Sequence, residues 1–179
     1  MAPVHDDAYR FAPAAPREEH VFGASAPGWH SACGHRVAVD RWIAFMQDQG
    51  IDRVCCLLSL SRSDARESHL NRYSESFGDD NVRHVPLADR RLADPEPLQR
   101  DVLPFLADTA RADERVIVHG LSGLGRTGQV LAAWLVACGG YDPDGAVDAV
   151  TSMGRDPVGG FGDREGTREA LVGVLGEFA

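Results

Sequence analysis

The sequence contains no lysine, and all 18 of its basic residues are arginine. Acidic residues number 27, so the formal net charge is −9 at pH 7. A surface of this sign repels the phosphate backbone of nucleic acids, and we therefore expect no nucleic-acid partner. An acidic chain without lysine suits a salt-loving organism, and a GC-rich genome alone would produce the same arginine bias.

The chain also lacks a long apolar run. The segment VLAAWLVAC (130–138) falls well short of the ~20 residues that span a bilayer. The N-terminus, MAPVHDDAYRF, has acidic residues where a signal peptide has basic ones. We therefore expect a cytoplasmic protein with no membrane partner, and a monomer by default.

Cysteine is scarce, and its spacing argues against metal binding. No two of the four cysteines have the CxxC spacing of a zinc site, and the histidines are scattered. Cys55 and Cys56 are adjacent in a predicted strand, so they point to opposite faces and do not pair. We expect no metal site, and we expect Cys33, Cys55, Cys56 and Cys138 to be reduced, buried thiols.

Strands and helices alternate along most of the chain. Predicted strands cover residues 52–60, 81–87 and 116–119. Predicted helices begin near residues 35, 95, 126, 145 and 168. Such alternation predicts an α/β fold, in which helices flank a mostly parallel central sheet. We expect one domain over residues 29–179, preceded by an Ala- and Pro-rich arm or edge strand over residues 1–28.

The turn after the strand VIVH (116–119) is rich in glycine and lies where parallel sheets bind ligands. Residues 120–127, GLSGLGRT, match the nucleotide P-loop pattern with Arg126 in place of lysine, and residues 123–128, GLGRTG, match the dinucleotide fingerprint. Both motifs usually open the first βα unit of their folds. Here about two-thirds of the chain precedes them, so we disfavour a nucleotide-binding protein.

A third pattern fits more of the chain. Residues 119–128, HGLSGLGRTG, resemble the H-C-x-x-G-x-x-R-[ST]-G loop of the cysteine-based protein tyrosine and dual-specificity phosphatases. Upstream, RHVPLADRRLADP (83–95) is similar to the loop that carries the general acid in these enzymes. The order of strands and helices from about His35 onward resembles that of the small dual-specificity phosphatases, particularly the kinase-associated phosphatases. The resemblance implies a dual-specificity phosphatase fold and hydrolysis of phosphotyrosine or phosphoserine/threonine esters, without metal or cofactor.

The physical chemistry of the loop supports an anion site. Backbone N–H groups at a helix N-terminus cradle phosphate, and an arginine fork holds two of its oxygens. The predicted phosphate-binding residues are Gly120, Leu121, Ser122, Gly123, Leu124, Gly125 and Arg126. By resemblance, His119 orients the loop, Asp89 is the general acid in preference to Asp94, and the Thr127 hydroxyl assists release of the catalytic cysteine.

Position 120 departs from the phosphatase pattern, because Gly120 stands where the nucleophilic cysteine is expected. Glycine cannot form the phosphocysteine intermediate. Ser122 has no adjacent base, and Cys138 lies about three turns along the helix, so neither is an obvious substitute. Either the protein is a pseudophosphatase that binds a phosphorylated protein or another phosphomonoester, or the glycine was introduced into a working phosphatase.

Overall fold

A computed structural model describes residues 8–28, 35–59, 67–88, 91–159 and 168–179. These ranges contain a five-stranded sheet in the order β1-β2-β5-β3-β4. The strands are β1 (Ala12–Pro13), β2 (Val21–Ala24), β3 (Arg53–Cys56), β4 (Val82–His84) and β5 (Val116–His119). Only β1 and β2 pair in antiparallel fashion, and the other three pairings are parallel. The predicted α/β class is confirmed.

The helices cover the sheet. The α-helices are α1 (His35–Asp48), α2 (Arg72–Phe77), α3 (Pro95–Pro97), α4 (Leu103–Arg111), α5 (Gly125–Cys138), α6 (Pro143–Ser152) and α7 (Arg168–Leu175). Helices α2 and α4 are each preceded by one π-helical turn, Glu67–Asn71 and Leu98–Val102. Within the residues that the structure describes, no helix has the length and apolar content needed to cross a bilayer.

The two faces of the sheet carry separate hydrophobic clusters because strand side chains alternate. Val116 and Val118 of β5 belong to the cluster that contains most of α5. Ile117, between them, belongs to the cluster that contains Trp42 and Met46 of α1. Strand β5 is therefore buried on both faces, which is typical of a central parallel strand.

The described part of residues 1–28 contributes two strands to the sheet. Strand β1 is an edge strand, which is one of the two alternatives predicted for this segment, and β2 lies inside the sheet between β1 and β5 with all four of its residues buried. Its register with β5 pairs Val21 with Val116 and Ala24 with His119. The division of the chain at residue 28 stays a prediction, with β1 and β2 before it and β3, β4 and β5 after it. VFGA is too short to show a periodic pattern, so it was hidden in its Ala- and Pro-rich surroundings.

The adjacent cysteines follow the predicted alternation. Cys55 packs in the cluster with α5 and Cys56 in the cluster with α1, and both are fully buried. Burial raises the pKa of both thiols, that of Cys56 to about 12, so both are protonated and unreactive at neutral pH. Cys138 is exposed, contrary to the expectation, and Cys33 lies outside the described residues.

Candidate phosphate-binding site

Residues 119–128, called the cradle loop below, lie at the carboxyl edge of the parallel strands. The loop leaves the central strand β5 at His119 and enters α5 at Gly125. The chain that follows β4 reaches the same edge, because Leu57 N–H donates to His119 O (2.8 Å) and Leu87 N–H donates to Leu57 O (3.1 Å). The described start of the predicted general-acid segment, residues 83–88, therefore ends at the same edge of the sheet as the cradle loop.

His119 holds the start of the loop as a neutral ring. It is fully buried, with Nδ1 2.9 Å from Gly120 O and Nε2 3.0 Å from the Tyr73 hydroxyl. A carbonyl oxygen only accepts, so Nδ1 carries the proton and the Tyr73 hydroxyl donates to Nε2. Burial lowers the pKa of His119 to about 3, which keeps this tautomer neutral at physiological pH.

Gly120 has a backbone that any residue could adopt. Its φ is not in the left-handed region, unlike that of Gly123. Its N–H donates to Thr127 Oγ1 at 2.9 Å, which joins the two ends of the cradle loop. A Cβ added to Gly120 would lie 3.4 Å from Thr127 Oγ1 and 3.6 Å from Arg126 Nε, both acceptable contacts. A side chain at position 120 would therefore fit beside the arginine.

Gly123 is required by its surroundings. Its φ is +79°, and an added Cβ would lie 2.7 Å from the Ala24 carbonyl carbon and the Ser25 nitrogen. Both contacts are with backbone that cannot move aside easily. The close approach of the cradle loop to the end of β2 therefore excludes every side chain at this position.

Arg155 supports the cradle loop from behind, and sequence reasoning missed it. Its guanidinium donates to three carbonyl oxygens, those of Gly123 (2.6 Å), Gly23 (2.8 Å) and Arg10 (2.7 Å). The side chain is 3% exposed, and burial lowers its pKa to about 10, so it stays charged at neutral pH. No local pattern marks it, since the carbonyls that it binds come from distant parts of the chain.

Arg126 lies in the first turn of α5 and is almost completely buried. Its Nη1 donates to Leu87 O at 3.2 Å, which connects it to the segment after β4. Leu87 is two residues before Asp89. Asp89 itself lies outside the described residues, so its predicted role as the general acid stays a prediction.

Asp94, the alternative acid, has a structural role. Its carboxylate accepts from Glu96 N–H (3.1 Å) and caps the helical turn that begins at Pro95. Its side chain is exposed at the start of that turn. The choice between Asp89 and Asp94 for the acid stays a prediction.

Gln129, a second residue that sequence reasoning missed, fixes the segment after Asp89. Its Oε1 accepts from Ala93 N–H (2.7 Å), and its Nε2 donates to Arg91 O (3.2 Å) and Pro157 O (3.3 Å). It is 2% exposed and directly precedes the apolar run 130–138 of α5. A lone amide next to such a run is a signal that could have identified it, since buried polar groups require partners.

The remaining loop residues leave several donors available. Among the described residues, the N–H groups of Leu121, Ser122 and Gly123 have no acceptor. The Leu121 carbonyl accepts from Ala26 N–H (2.9 Å), which fixes the orientation of its peptide. A Cβ added to Gly125 would meet nothing within 4 Å. Successive N–H groups without acceptors at the start of a helix make an anion-binding site.

A metal centre has no basis in the part of the chain that the structure describes. No group of three or more His, Cys, Asp or Glu side chains is placed there to hold an ion. The charges near the cradle loop are instead the guanidinium groups of Arg126 and Arg155. The arrangement suits an anion.

Comparison with protein families finds one match. Residues 30–140 match the model described as "Tc-R-P: Polymorphic toxin system, DSP-PTPase phosphatase". The matched range contains the cradle loop and the general-acid segment. Among curated proteins, none matches the chain.

Several solved structures have the same fold at low sequence identity. Tk-PTP in its active form is 22% identical, with a TM-score of 0.62 over 89% of this chain and 90% of that one. A kinase associated phosphatase with serine in place of its catalytic-site cysteine is 19% identical, with a TM-score of 0.65 over 88% and 84%. A human tyrosine phosphatase-like serine/threonine/tyrosine-interacting protein is 16% identical, with a TM-score of 0.63 over 94% of each chain.

Proposed function

The chain belongs to the DSP-PTPase phosphatase family of polymorphic toxin systems, and on that premise we propose that it binds phosphate monoesters without hydrolysing them through a cysteine. The observation that carries this proposal is the environment of Gly120. A side chain there would face Thr127 Oγ1 and Arg126 Nε, the place where a nucleophile would meet a phosphate held by the loop. The chain has the site but no nucleophile in it.

The geometry supports retained binding. The N–H groups of Leu121, Ser122 and Gly123 have no acceptor among the described residues, and the Arg126 side chain lies beside Gly120. The neutral His119 holds the Gly120 carbonyl, which keeps the first peptide of the loop in place. A thiolate at position 120 would repel a phosphate dianion, so its absence favours binding.

The proposed ligand is a phosphorylated protein or another phosphomonoester. One solved structure of the same fold is named as tyrosine phosphatase-like and as serine/threonine/tyrosine-interacting, which supports a binding role. We propose further that Asp89 is the retained general acid. The degenerate P-loop alternative is not favoured, because the fold and the family are those of phosphatases.

Two measurements on the 179-residue protein test this proposal. Hydrolysis of a small aryl phosphate should be undetectable above the background rate, whereas tungstate should raise the Tm. A ligand at 100 times its Kd adds about 2.7 kcal/mol to the free energy of unfolding. Turnover by the unaltered protein would contradict the proposal, and stabilisation by ATP with magnesium but not by tungstate would support the nucleotide-binding alternative.

A further inference from the structure

The missing side chain of Gly120 leaves a small volume bordered by two donors. The position of the absent Cβ is 3.4 Å from Thr127 Oγ1, 3.6 Å from Arg126 Nε and 3.8 Å from Arg126 Cβ. Both donors are on nearly buried side chains, Thr127 at 1% exposure and Arg126 at 9%. The volume is therefore lined by a hydroxyl and a guanidinium.

The Thr127 hydroxyl has a proton to donate. Within the described residues, its one hydrogen bond is the bond that it accepts from Gly120 N–H. Acceptance uses an oxygen lone pair and leaves the O–H free to rotate toward another acceptor. A buried hydroxyl proton without an acceptor is costly, and an anion oxygen in the adjacent volume would relieve that cost.

We propose that position 120 is an oxyanion subsite, in which one oxygen of a bound phosphate group occupies the volume left by the missing side chain and accepts from the Thr127 hydroxyl. This inference rests on the proposed function of phosphate binding and adds a ligand contact to it. The oxygen also lies next to the Arg126 guanidinium, whose positive charge favours an anion there. The phosphate enters deeper than it could beside any side chain at position 120.

The subsite gives Thr127 a direct role in binding. If the Thr127 hydroxyl only stabilises the loop, its contribution to the binding free energy of the ligand is the same whatever residue stands at position 120. A hydroxyl that contacts the ligand loses its effect once a methyl group occupies the volume, because the oxygen can no longer approach it. The coupling between positions 120 and 127 therefore distinguishes contact from bracing.

The experiment is a double-mutant cycle on the full chain, with the Kd of tungstate measured by calorimetry at constant ionic strength. Thr127→Val should weaken binding about tenfold, as expected for a lost hydrogen bond to a charged group. Gly120→Ala should weaken it by a similar factor. In the Gly120→Ala background, Thr127→Val should have an effect below about twofold, and Thr127→Ser should bind as the unaltered protein does.

The outcomes separate this inference from the proposed function. If the unaltered protein does not bind tungstate, the proposed function fails and the subsite fails with it. If it binds but Thr127→Val weakens binding equally in both backgrounds, Thr127 only braces the loop and the subsite alone is overturned. Unchanged binding by Gly120→Ala would overturn the subsite too, because the volume would then be unused.

Discussion

The two glycines at positions 120 and 123 stand three residues apart in one loop, and different requirements apply to them. Gly123 has a φ of +79° and lies against the backbone at the end of β2, where an added Cβ would be 2.7 Å from two atoms. Gly120 has ordinary backbone angles, and its added Cβ would make no contact shorter than 3.4 Å. The fold requires glycine at 123 and merely accepts it at 120.

This difference separates a glycine that the fold needs, Gly123, from one that bears on the proposed function, Gly120. Where the backbone geometry requires glycine, folding explains the residue. Where the geometry accepts any residue, the effect of the glycine lies in the side chain that it lacks. At position 120 the side chain would lie beside Thr127 and Arg126, in the proposed anion site. Under the proposed function, glycine there changes the chemistry of the site and leaves its architecture in place.

Gly120→Cys should have the largest effect. The thiol would lie beside Arg126 and the loop N–H groups, which stabilise a thiolate, so turnover of an aryl phosphate should rise by about 10⁴-fold or more. The measurement is steady-state hydrolysis, with Gly120→Ser as the matched control that keeps a small polar side chain. If Gly120→Cys binds tungstate but does not turn over, the loop has lost more than its nucleophile.

Asp89→Asn in the Gly120→Cys background tests whether Asp89 is the general acid. Removal of a general acid typically costs 10² to 10⁴-fold, so kcat should fall by about that factor and the alkaline limb of its pH profile should disappear. Asp94→Asn is the matched control, since its carboxylate caps a helical turn. A larger loss for Asp94→Asn would reverse the assignment.

Gly123→Ala should destabilise the fold, and Gly120→Ala should not. The left-handed backbone costs about 1–2 kcal/mol for alanine, and the backbone contacts add to it, so we expect about 3 kcal/mol in total. For a domain of this size that lowers the Tm by about 6–12 °C. Gly120→Ala should change the free energy of unfolding by less than about 1 kcal/mol. Equal losses for the two variants would contradict the conclusion that the fold requires glycine at 123 and not at 120.

Arg155→Met tests the support behind Gly123. The substitution leaves the carbonyls of Gly123, Gly23 and Arg10 without their donor, and we expect a loss of about 3 kcal/mol in chemical denaturation. Tungstate binding should weaken as well, since the Gly123 peptide is no longer held. Arg111→Met, at an exposed position, is the control. Full stability of Arg155→Met would show that the loop needs no support.

His119 should make the free energy of unfolding depend on pH in mild acid, and between pH 6.5 and 5 this effect should be smaller than those of Gly123→Ala and Arg155→Met. Burial lowers its pKa from 6.5 to about 3, so the unfolded chain binds the proton more readily. Its contribution is complete above pH 6.5 and is lost progressively as the pH falls toward 3, by at most about 1.4 kcal/mol per pH unit. His119→Gln should reduce the slope between pH 6.5 and 5, and an unchanged slope would contradict the neutral tautomer.

The strand, loop and helix over residues 116–138 could be predicted from sequence because their signals are local. A short apolar run, closely spaced glycines and an arginine at a helix start lie within one continuous segment. The α/β class followed from the alternation of such segments and is confirmed. The roles of Asp89 and of the individual loop residues stay predictions.

The sequence by itself determined the succession of strand, turn and helix over residues 116–138, because that depends on residue types in one continuous stretch. Only the tertiary structure placed β2 beside β5 and brought Arg155 to Gly23, 132 positions away in the chain. It also decided that Gly123 is required and that Gly120 is not. Those properties depend on which distant backbone approaches each residue, and no spacing within the loop contains that information.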